Sequence, residues 1–317
     1  MVVEFDRGKV LGQGTYGTVF LGTFKDEKVA VKRIQIRAGI DVNDARQSRE
    51  EEAMKKLEHP YVLKLIEVQK ALDFKYFILE LCRGTVKHYI EGKYTDPMPS
   101  EIDGMIQMAS GLQYIHSQQF VHRDIKPANV MISESYVLKI SDFGFCRPVT
   151  ASGSFSMSSG AKGTKIYNSP EFHDSEYKSQ EEKEKIRANV STDIFSLGCL
   201  FHSYITKGGH PFAKEKLTNE AETIDNIRNG ERFLKNGESG LSDDHYAFSM
   251  IDGMTEMMAT DRWKLDRVLE TLENQRCTLQ VKYNSSQATI FIVKGVDKHA
   301  ITSNSCNVKR SLLYASK

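Results

Sequence analysis

The sequence predicts an α+β protein with two lobes, a small β-rich N-terminal lobe and a larger helical C-terminal lobe. Residues 5–81 form the first lobe, because short runs of β-branched and aromatic residues alternate there with turn residues, as in strands. Residues 82–273 form the second lobe, because apolar residues recur there every three or four positions, as in helices. Residues 274–317 differ in character from both, and we treat them as a C-terminal tail whose structure the pattern leaves open.

The composition is that of an ordinary globular protein without an unusual partner. A chain of 317 residues can form one large domain or two smaller ones, each with its own core. The hydrophobic share of 40% and the charged share of 27% are typical of soluble proteins. The formal net charge of +1 gives no electrostatic reason to bind nucleic acid, so no nucleic-acid partner is expected.

No membrane segment is expected in the chain. The longest nearly apolar run, Ile194–Ile205, is too short to cross a bilayer, and the N-terminus lacks the apolar stretch of a signal peptide. The five cysteines are odd in number and have no metal-type spacing, which favours reduced thiols over disulfides. These observations together predict a cytoplasmic location.

The β-rich lobe contains a glycine-rich turn. Strands are predicted at Lys9–Leu11, Thr18–Thr23 and Lys28–Ile34, and the β-rich part ends with Tyr76–Cys82. Between the first two, Gly12, Gly14 and Gly17 form the pattern G-x-G-x-x-G, and glycine lets the backbone approach phosphates because it has no Cβ. A helix would follow these glycines in a dinucleotide-binding fold, whereas a strand follows them here. The pattern alone is equally compatible with a plain hairpin turn.

Lys32 lies between apolar neighbours on a predicted strand. A strand lysine usually extends to a solvated edge, whereas an inward lysine needs a carboxylate, because an unpaired buried charge is expensive. The predicted helix Asp44–Leu57 supplies Glu50, Glu51 and Glu52. Glu51 and Glu52 are expected to be solvated, as in an ordinary acidic run, and the family resemblance described below implies Glu50 as the partner of Lys32.

The helical lobe begins with a strong amphipathic pattern at Ser100–Ser117, whose apolar stripe indicates core packing. Further helices are predicted at Lys178–Lys185, from Asp193 onward, and at Thr218–Asn229, Tyr246–Met258 and Lys264–Glu273. In the tail, Leu279, Val281 and Tyr283 alternate with polar residues, which indicates a strand, and Thr289–Val293 is expected to pair back on it.

The segment Val121–Asn129 concentrates polar side chains with complementary chemistry. Asp124 can accept a proton, Lys126 can neutralise a phosphate, and Asn129 offers an amide oxygen to a metal ion. Asp142, which follows a predicted strand in the sequence Asp-Phe-Gly, offers a carboxylate of the kind that Mg²⁺ prefers. An Asp before Gly also caps ordinary turns, and the order of the surrounding motifs favours the metal site.

These motifs resemble those of protein kinases. The glycine-rich turn, Val-Ala-Val-Lys, His-Arg-Asp-x-Lys-x-x-Asn and Asp-Phe-Gly follow one another in the order of that family. Residues 5–273 therefore look like a eukaryotic protein kinase domain, which implies the bilobal kinase fold and ATP and Mg²⁺ as cofactors. Lys126 resembles the Ser/Thr branch, so the implied reaction transfers the γ-phosphoryl group of ATP to Ser or Thr of a protein substrate.

The resemblance assigns the site residues to roles. The implied catalytic residues are Lys32, Glu50, Asp124 and Lys126, and the implied Mg²⁺ ligands are Asn129 and Asp142. The implied nucleotide pocket consists of Leu11, Gly12, Gly14, Gly17, Val19, Ala30, Lys32, Glu80, Cys82 and Met131. Arg262 is expected to form an ion pair with Glu171.

Less generic stretches are similar to the inositol-requiring stress-sensor kinase/endoribonucleases of the unfolded-protein response. They are Glu80-Leu81-Cys82, Asp142-Phe-Gly-Phe-Cys146, Asp193-Ile-Phe-Ser-Leu-Gly-Cys199, Gly209-His-Pro-Phe212 and Ser154-Phe-Ser-Met-Ser-Ser-Gly160. That family autophosphorylates the last of these, so Ser154, Ser156 and Ser159 are the implied phosphorylation sites. Arg123 is expected to pair with such a phosphate. The resemblance also implies a homodimer, a signalling role in stress and, for a fragment of a membrane sensor, the cytosolic face of the endoplasmic reticulum.

Departures from that family leave alternatives open. Its members carry a luminal sensor and a membrane span before the kinase and a nuclease after it, and neither has a match here. Ribonuclease activity is therefore not carried over, and we expect a fragment or a soluble relative with the kinase part alone. A nucleotide-binding pseudokinase or allosteric scaffold is the main alternative, although such proteins usually lack a Lys, Asp or metal ligand that this chain keeps.

Overall fold

The computed structural model describes residues 3–14, 17–36, 41–156, 164–176, 178–185, 187–216, 219–234 and 240–293. The chain divides into two compact units, Met1–Glu273 and Asn274–Lys317. Among the described residues, no helix is both long enough and apolar enough to span a membrane.

The N-terminal lobe is built on a five-stranded antiparallel sheet. Its strands are β1 (Glu4–Gly14), β2 (Gly17–Phe24), β3 (Glu27–Gln35), β4 (Leu65–Lys70) and β5 (Phe74–Glu80), in the order β1-β2-β3-β5-β4. Side-chain alternation on β3 sends Val29 and Val31 into a cluster with Ile78, while Ala30 joins the main core on the other face. The predicted strands of this lobe are confirmed.

One helix of this lobe, α1 (Asp41–Lys56), packs beside the sheet. In the described part of α1, Ala53 and Met54 are buried, and Leu57 is buried just after its end. The two glutamates predicted to be solvated behave differently. Glu52 is exposed, but the side chain of Glu51 is only 16% exposed, so the prediction for Glu51 is wrong.

The C-terminal lobe is mainly helical. A short strand β6 (Cys82–Thr85) joins it to the sheet, and β6, β8 (Val130–Ser133) and β9 (Leu138–Ile140) form a three-stranded sheet. Its helices are α2 (Val86–Ile90), α3 (Glu101–Ser117), α4 (Pro170–Glu176), α5 (Gln180–Lys185), α6 (Ser191–Ile205), α7 (Glu220–Asn229), α8 (Phe248–Met254) and α9 (Leu265–Val293). The helices predicted from the sequence are thus confirmed, with shifted ends.

Two helices form the centre of this lobe. Helix α3 begins where Ser100 accepts a hydrogen bond from the N–H of Asp103, and its predicted apolar stripe is buried. Helix α6 is buried along almost its whole length, which agrees with its largely apolar sequence. Both helices therefore contribute most of their apolar side chains to the core of this lobe.

The segment after β9 is held by two short strand pairs. Strand β10 (Arg147–Pro148) pairs with β7 (Phe120–Val121), and β11 (Ser154–Ser156) pairs with β12 (Arg187–Asn189). The second pair ties part of the Ser-rich loop, residues 147–162, to the residues that precede α6.

The tail does not form the predicted strands, and that prediction is wrong. Helix α9 runs from Leu265 through Asn274 to Val293, so it includes both segments that were expected to pair. Extending an existing helix fixes one residue for each new hydrogen bond, whereas a hairpin needs a new turn and a new pairing. Three alternating apolar residues do not outweigh that advantage.

Two buried histidines in the helical lobe make its stability sensitive to acid. His202 and His210 are 0% and 1% exposed. Burial disfavours the charged imidazolium and lowers the pKa of His202 to about 4 and that of His210 to about 3. Both rings are therefore neutral in the folded protein at pH 5, where the unfolded chain binds the protons.

We expect the free energy of unfolding to fall as the pH drops from about 6.5 to 5. A group with a lowered folded pKa and an ordinary unfolded value costs up to ~1.4 kcal/mol for each pH unit in that window. Chemical denaturation at several pH values measures the slope, and His202→Gln should make it shallower. An unchanged slope in that variant would contradict the assignment to His202.

Candidate catalytic and nucleotide-binding site

Lys32 and Glu50 meet in the interior of the N-terminal lobe. Strand β3 directs Lys32 toward α1, where its Nζ lies 2.5 Å from Oε1 of Glu50. Glu50 is 3% exposed and Lys32 is 15% exposed, so each charge needs the other. The Nζ of Lys32 also lies 3.8 Å from Oδ1 of Asp142. The predicted partner of Lys32 is thus in place, and Asp142 is beside it.

Asp124 is the centre of a compact polar group in the helical lobe. The Nζ of Lys126 donates to both carboxylate oxygens of Asp124 at 2.9 Å. The amide nitrogen of Asn129 donates to Oδ2 and to the backbone oxygen of Asp124, at 2.8 Å in each case. Because these donors converge on one carboxylate, Asp124 is fixed in orientation.

The loop that carries Asp124 is held in place by hydrogen bonds to Asp193. This buried carboxylate accepts hydrogen bonds from the N–H groups of His122 (2.7 Å) and Arg123 (2.8 Å) and from Nε2 of His116 (2.9 Å). Burial raises the pKa of Asp193, but the bond from His116 and the neighbouring charges outweigh burial and lower it. These bonds hold Arg123 at a φ of 69°, in the left-handed region that non-glycine residues rarely adopt.

Asn129 and Asp142, the two predicted Mg²⁺ ligands, lie on segments that are hydrogen-bonded to each other. The backbone oxygen of Asn129 accepts bonds from the N–H of Ser141 (2.8 Å) and from its hydroxyl (3.0 Å), which brings the two segments together. Both amide hydrogens of Asn129 are used by Asp124, so its amide oxygen is left for a cation. Asp142 has a φ of 63°, and its Oδ1 accepts from the N–H of Gly144 at 3.4 Å.

This donor set fits Mg²⁺. The ion prefers hard oxygen ligands and usually takes one or two carboxylates together with phosphate oxygens. In the described part of the chain, no group of three His, Cys, Asp or Glu side chains could hold a metal without further ligands. A cation between Asn129 and Asp142 would therefore be completed by a phosphate-bearing ligand and by water.

Residues 5–272 match the family described as protein kinase domain. The chain belongs to the protein kinase family. Kinases as a family use ATP and Mg²⁺, in agreement with the oxygen ligands above. The predicted kinase domain and its bilobal α+β fold are confirmed.

The kinase is similar to proteins named as kinase/endoribonucleases. It is 32% identical to human "Serine/threonine-protein kinase/endoribonuclease IRE2", over 84% of this chain and 28% of that protein. It is 35% identical to ire-1 of Caenorhabditis elegans over 82% of this chain and 26% of that protein, and 30% identical to ireA of Aspergillus fumigatus over 80% and 24%. The kinase therefore spans about a quarter of the length of these relatives. The resemblance to the stress-sensor kinases is confirmed.

The residues predicted for the nucleotide pocket of the kinase come from both lobes. Val19, Ala30, Leu79, Cys82 and Met131 all belong to or pack against one apolar cluster, and Leu11 is half exposed. An apolar wall of this kind suits a planar base.

The glycine-rich turn keeps its backbone accessible. A Cβ on Gly12 or Gly14 would meet no atom within 4 Å, so the space beside the chain is open to a phosphate. Gly17 has a φ of 146°, and a Cβ there would lie 2.4 Å from the backbone oxygen of Arg33, so only glycine fits. Thr15 and Tyr16, between Gly14 and Gly17 in the sequence, lie outside the described residues.

The side chains of Glu80 and Cys82, two residues predicted for the nucleotide pocket, have defined surroundings in the structure. The side chain of Glu80 accepts hydrogen bonds from the N–H of Lys64 (2.7 Å) and from Nζ of Lys139 (2.9 Å), so it is occupied within the protein. Burial is the main reason that the pKa of the Cys82 thiol is raised to about 12. The thiol is therefore protonated at neutral pH.

Arg123 is packed between aromatic rings. Its guanidinium carbon lies 5.4 Å from the ring centroids of both Phe155 and Phe172. Burial, together with the nearby Arg147, lowers the pKa of Arg123 to about 10. Sequence reasoning predicted a phosphate for this arginine, and missed both rings. The signal in the sequence was the alternation of polar and apolar residues at Ser154, Phe155 and Ser156, which is typical of a strand.

Of the implied phosphorylation sites, Ser154 and Ser156 lie on β11, on either side of Phe155. Successive strand residues point to opposite faces, so these two serines point away from the face that Phe155 presents to Arg123. Ser159 lies outside the described residues. The predicted pair between Arg123 and a phosphate therefore stays a prediction.

Proposed function

We propose that this chain is an active serine/threonine protein kinase that transfers the γ-phosphoryl group of ATP to a protein hydroxyl. The observation that carries the proposal is the group of polar side chains in one place. Lys32, bound to Glu50, lies beside Asp142, and Asp142 is tied through Ser141 to the Asn129–Asp124 pair. A pseudokinase has no need to keep all of these groups in mutually bonded positions.

Asp124 receives the substrate hydroxyl in this mechanism. It orients the hydroxyl and accepts its proton while the oxygen forms a bond to the γ-phosphorus and the bond from that phosphorus to ADP breaks. Lys126 offsets the negative charge on the group in transfer, and Lys32 holds the α- and β-phosphates. When bound by Asn129 and Asp142, Mg²⁺ supplies positive charge to the phosphate oxygens. The chain contributes positioning and electrostatics, and forms no covalent intermediate.

The nucleotide is proposed to lie between the lobes. Gly12, Gly14 and Gly17 cover its phosphates, while the backbone of Glu80 and Cys82 faces the adenine and Met131 lies under it. Leu11, Val19 and Ala30 enclose the base from the sheet side. The apolar cluster that Val19, Ala30, Cys82 and Met131 join supports this arrangement.

Autophosphorylation of the Ser-rich loop is proposed at Ser154, Ser156 and Ser159. Two of the three lie on a strand next to the Arg123 side chain. A phosphate adds nearly two negative charges and strong hydrogen-bond acceptors. Arg123 could therefore replace its contact with an aromatic ring by an ion pair with the phosphate. For Ser154 or Ser156 that exchange requires β11 to turn its other face to Arg123.

Incubation of the chain with Mg·ATP tests both proposals. We expect incorporation of labelled phosphate into the chain and into a generic basic protein, and mass spectrometry should locate phosphate on Ser154, Ser156 or Ser159. Phosphatase treatment is expected to lower the rate toward the added substrate. Nucleotide binding without transfer would support the pseudokinase, and an unchanged rate after phosphatase treatment would contradict the regulatory role of the loop.

We further propose that the kinase acts on protein substrates in stress signalling, on the cytosolic face of the endoplasmic reticulum, and that it forms a homodimer. The relatives support this, since one from Schizosaccharomyces pombe is named "Sensor for unfolded proteins in the ER ire1".

Others are named as endoribonucleases, so the kinase part of a kinase-ribonuclease sensor is the second candidate function. Incubation of the chain with RNA and sedimentation analysis test cleavage and dimer formation.

A further inference from the structure

Glu51, the residue after Glu50 on α1, holds a second lysine of the sheet. Its Oε2 lies 2.5 Å from Nζ of Lys75, and its Oε1 accepts a hydrogen bond from Lys55 at 2.6 Å. Lys75 is on β5 and its side chain is only 4% exposed. A buried ammonium needs a counter-charge, so the pair between Glu51 and Lys75 belongs to the packed interior.

The surroundings of Lys75 keep this pair fixed. Its Nζ lies 5.3 Å from the ring centroid of Phe77, which is fully buried. Burial raises the pKa of Glu51, but the hydrogen bonds from Lys55 and Lys75 outweigh burial and lower it to about 2. The carboxylate of Glu51 is therefore charged at neutral pH, and it attracts the ammonium group of Lys75 under those conditions.

Two ion pairs thus connect α1 to two strands. Adjacent residues of an α-helix point about 100° apart. Glu50 reaches Lys32 on β3, and Glu51 reaches Lys75 on β5, and these strands are neighbours in the sheet. One pair leaves a helix able to roll about its axis, whereas two pairs in different directions fix its rotation. The described part of the helix adds only the buried Ala53 and Met54 as apolar anchors.

We propose that the Glu51–Lys75 ion pair is a positioning device that holds α1 in the rotation at which Glu50 engages Lys32. The inference rests on the proposed function, in which Lys32 holds the phosphates of ATP. Glu51 and Lys75 touch no substrate in this proposal, and they act through Glu50. The position of this helix is one of the conditions for phosphoryl transfer in kinases.

The next glutamate provides a matched control. Glu52 pairs with Lys56 at 2.7 Å, but both side chains are more than half exposed. Exposed pairs of this kind contribute little, because water screens them and ordering the side chains costs entropy. Glu→Gln at positions 50, 51 and 52 therefore makes the same chemical change at three successive places with three different surroundings.

The experiment measures kcat and the KM for ATP of the full chain and these variants. We expect Glu50→Gln to lose ~10²-fold or more in kcat/KM, Glu51→Gln about tenfold, mainly through a higher KM, and Glu52→Gln less than about twofold. Lys75→Met should resemble Glu51→Gln, while Lys75→Arg, which keeps the charge, should retain most of the activity. Thermal midpoints show that each variant is folded.

A double variant separates positioning from a general structural effect. Because Glu51 is inferred to act through Glu50, Glu51→Gln should cause little further loss in the Glu50→Gln background. Equal fractional losses in both backgrounds, or wild-type kinetics for Glu51→Gln, would overturn the inference.

Failure of the proposed function gives a different result. In that case the unaltered chain transfers no phosphate at all. The inference is then decided by the Kd of a fluorescent ATP analogue with Mg²⁺, which Glu51→Gln should raise and Glu52→Gln should not. Equal Kd values for the two variants would overturn it.

Discussion

Asp124→Asn is expected to lower kcat by about 10²–10⁴-fold, the range typical of a lost general base. The amide has nearly the shape of the carboxylate, but it does not accept a proton at neutral pH. Lys126 and Asn129 lose the charge that they share now, although one oxygen remains for them. Initial rates of phosphate transfer measure the loss, and titration with Mg·ATP should give a Kd close to that of the unaltered chain.

Asp96→Asn is the control for this change. Asp96 is more than half exposed and lies 3.5 Å from Arg83 on the surface, so its replacement should leave kcat unaltered. A kcat for Asp124→Asn within about threefold of the unaltered chain would eliminate Asp124 as the base. Parallel loss of Mg·ATP binding would show that the carboxylate holds the nucleotide site together instead.

Glu171→Ala is expected to cause the largest loss of stability, about 3–5 kcal/mol in the free energy of unfolding. The Arg262 side chain is fully buried, and its two terminal nitrogens donate to the two carboxylate oxygens of Glu171, each at 2.7 Å. Its Nε donates to the backbone oxygen of Glu256 at 2.7 Å. Removing the carboxylate leaves the guanidinium buried without this counter-charge.

Denaturant unfolding measures this loss, and the thermal midpoint should fall by roughly 10 °C for a domain of this size. Glu52→Ala, which removes an exposed pair, serves as the control and should change the stability by less than about 0.5 kcal/mol. A loss below about 1 kcal/mol for Glu171→Ala would show that the surrounding carbonyl oxygens hold the arginine without Glu171.

The predicted ion pairs Lys32–Glu50 and Glu171–Arg262 both appear in the structure. The residues of each pair occupy fixed positions in kinase motifs, so the sequence was sufficient to predict which residues pair. Glu51 shows the limit of that approach. Its sequence neighbours are charged, which indicates a solvated helix face, and nothing near it in the chain points to Lys75.

Phe155 illustrates the same limit in the Ser-rich loop. The surrounding serines predict a loop with little apolar content, yet the ring is buried against Arg123 and the loop pairs with Arg187–Asn189. The pairing joins residues far apart in the chain, and short strands of this kind have no periodicity long enough to detect. Sequence reasoning missed the helix through 274–293, because it considered only the alternation of apolar and polar residues in the tail. It did not consider that the helix predicted at Lys264–Glu273 could continue into the tail.

The sequence by itself determined the two lobes, the kinase family and the identity of the polar groups, because these depend on local periodicity and on motifs of fixed spacing. Only the tertiary structure decided which charges are buried. Burial depends on how α1 packs on the sheet and how the Ser-rich loop meets Arg123. Burial distinguishes Glu51 from Glu52, although the two side chains are identical and adjacent in the sequence. The carboxylate of Glu51 faces a buried lysine, whereas that of Glu52 faces water. This difference in electrostatic environment arises from the packing of the helix, so the sequence pattern does not show it.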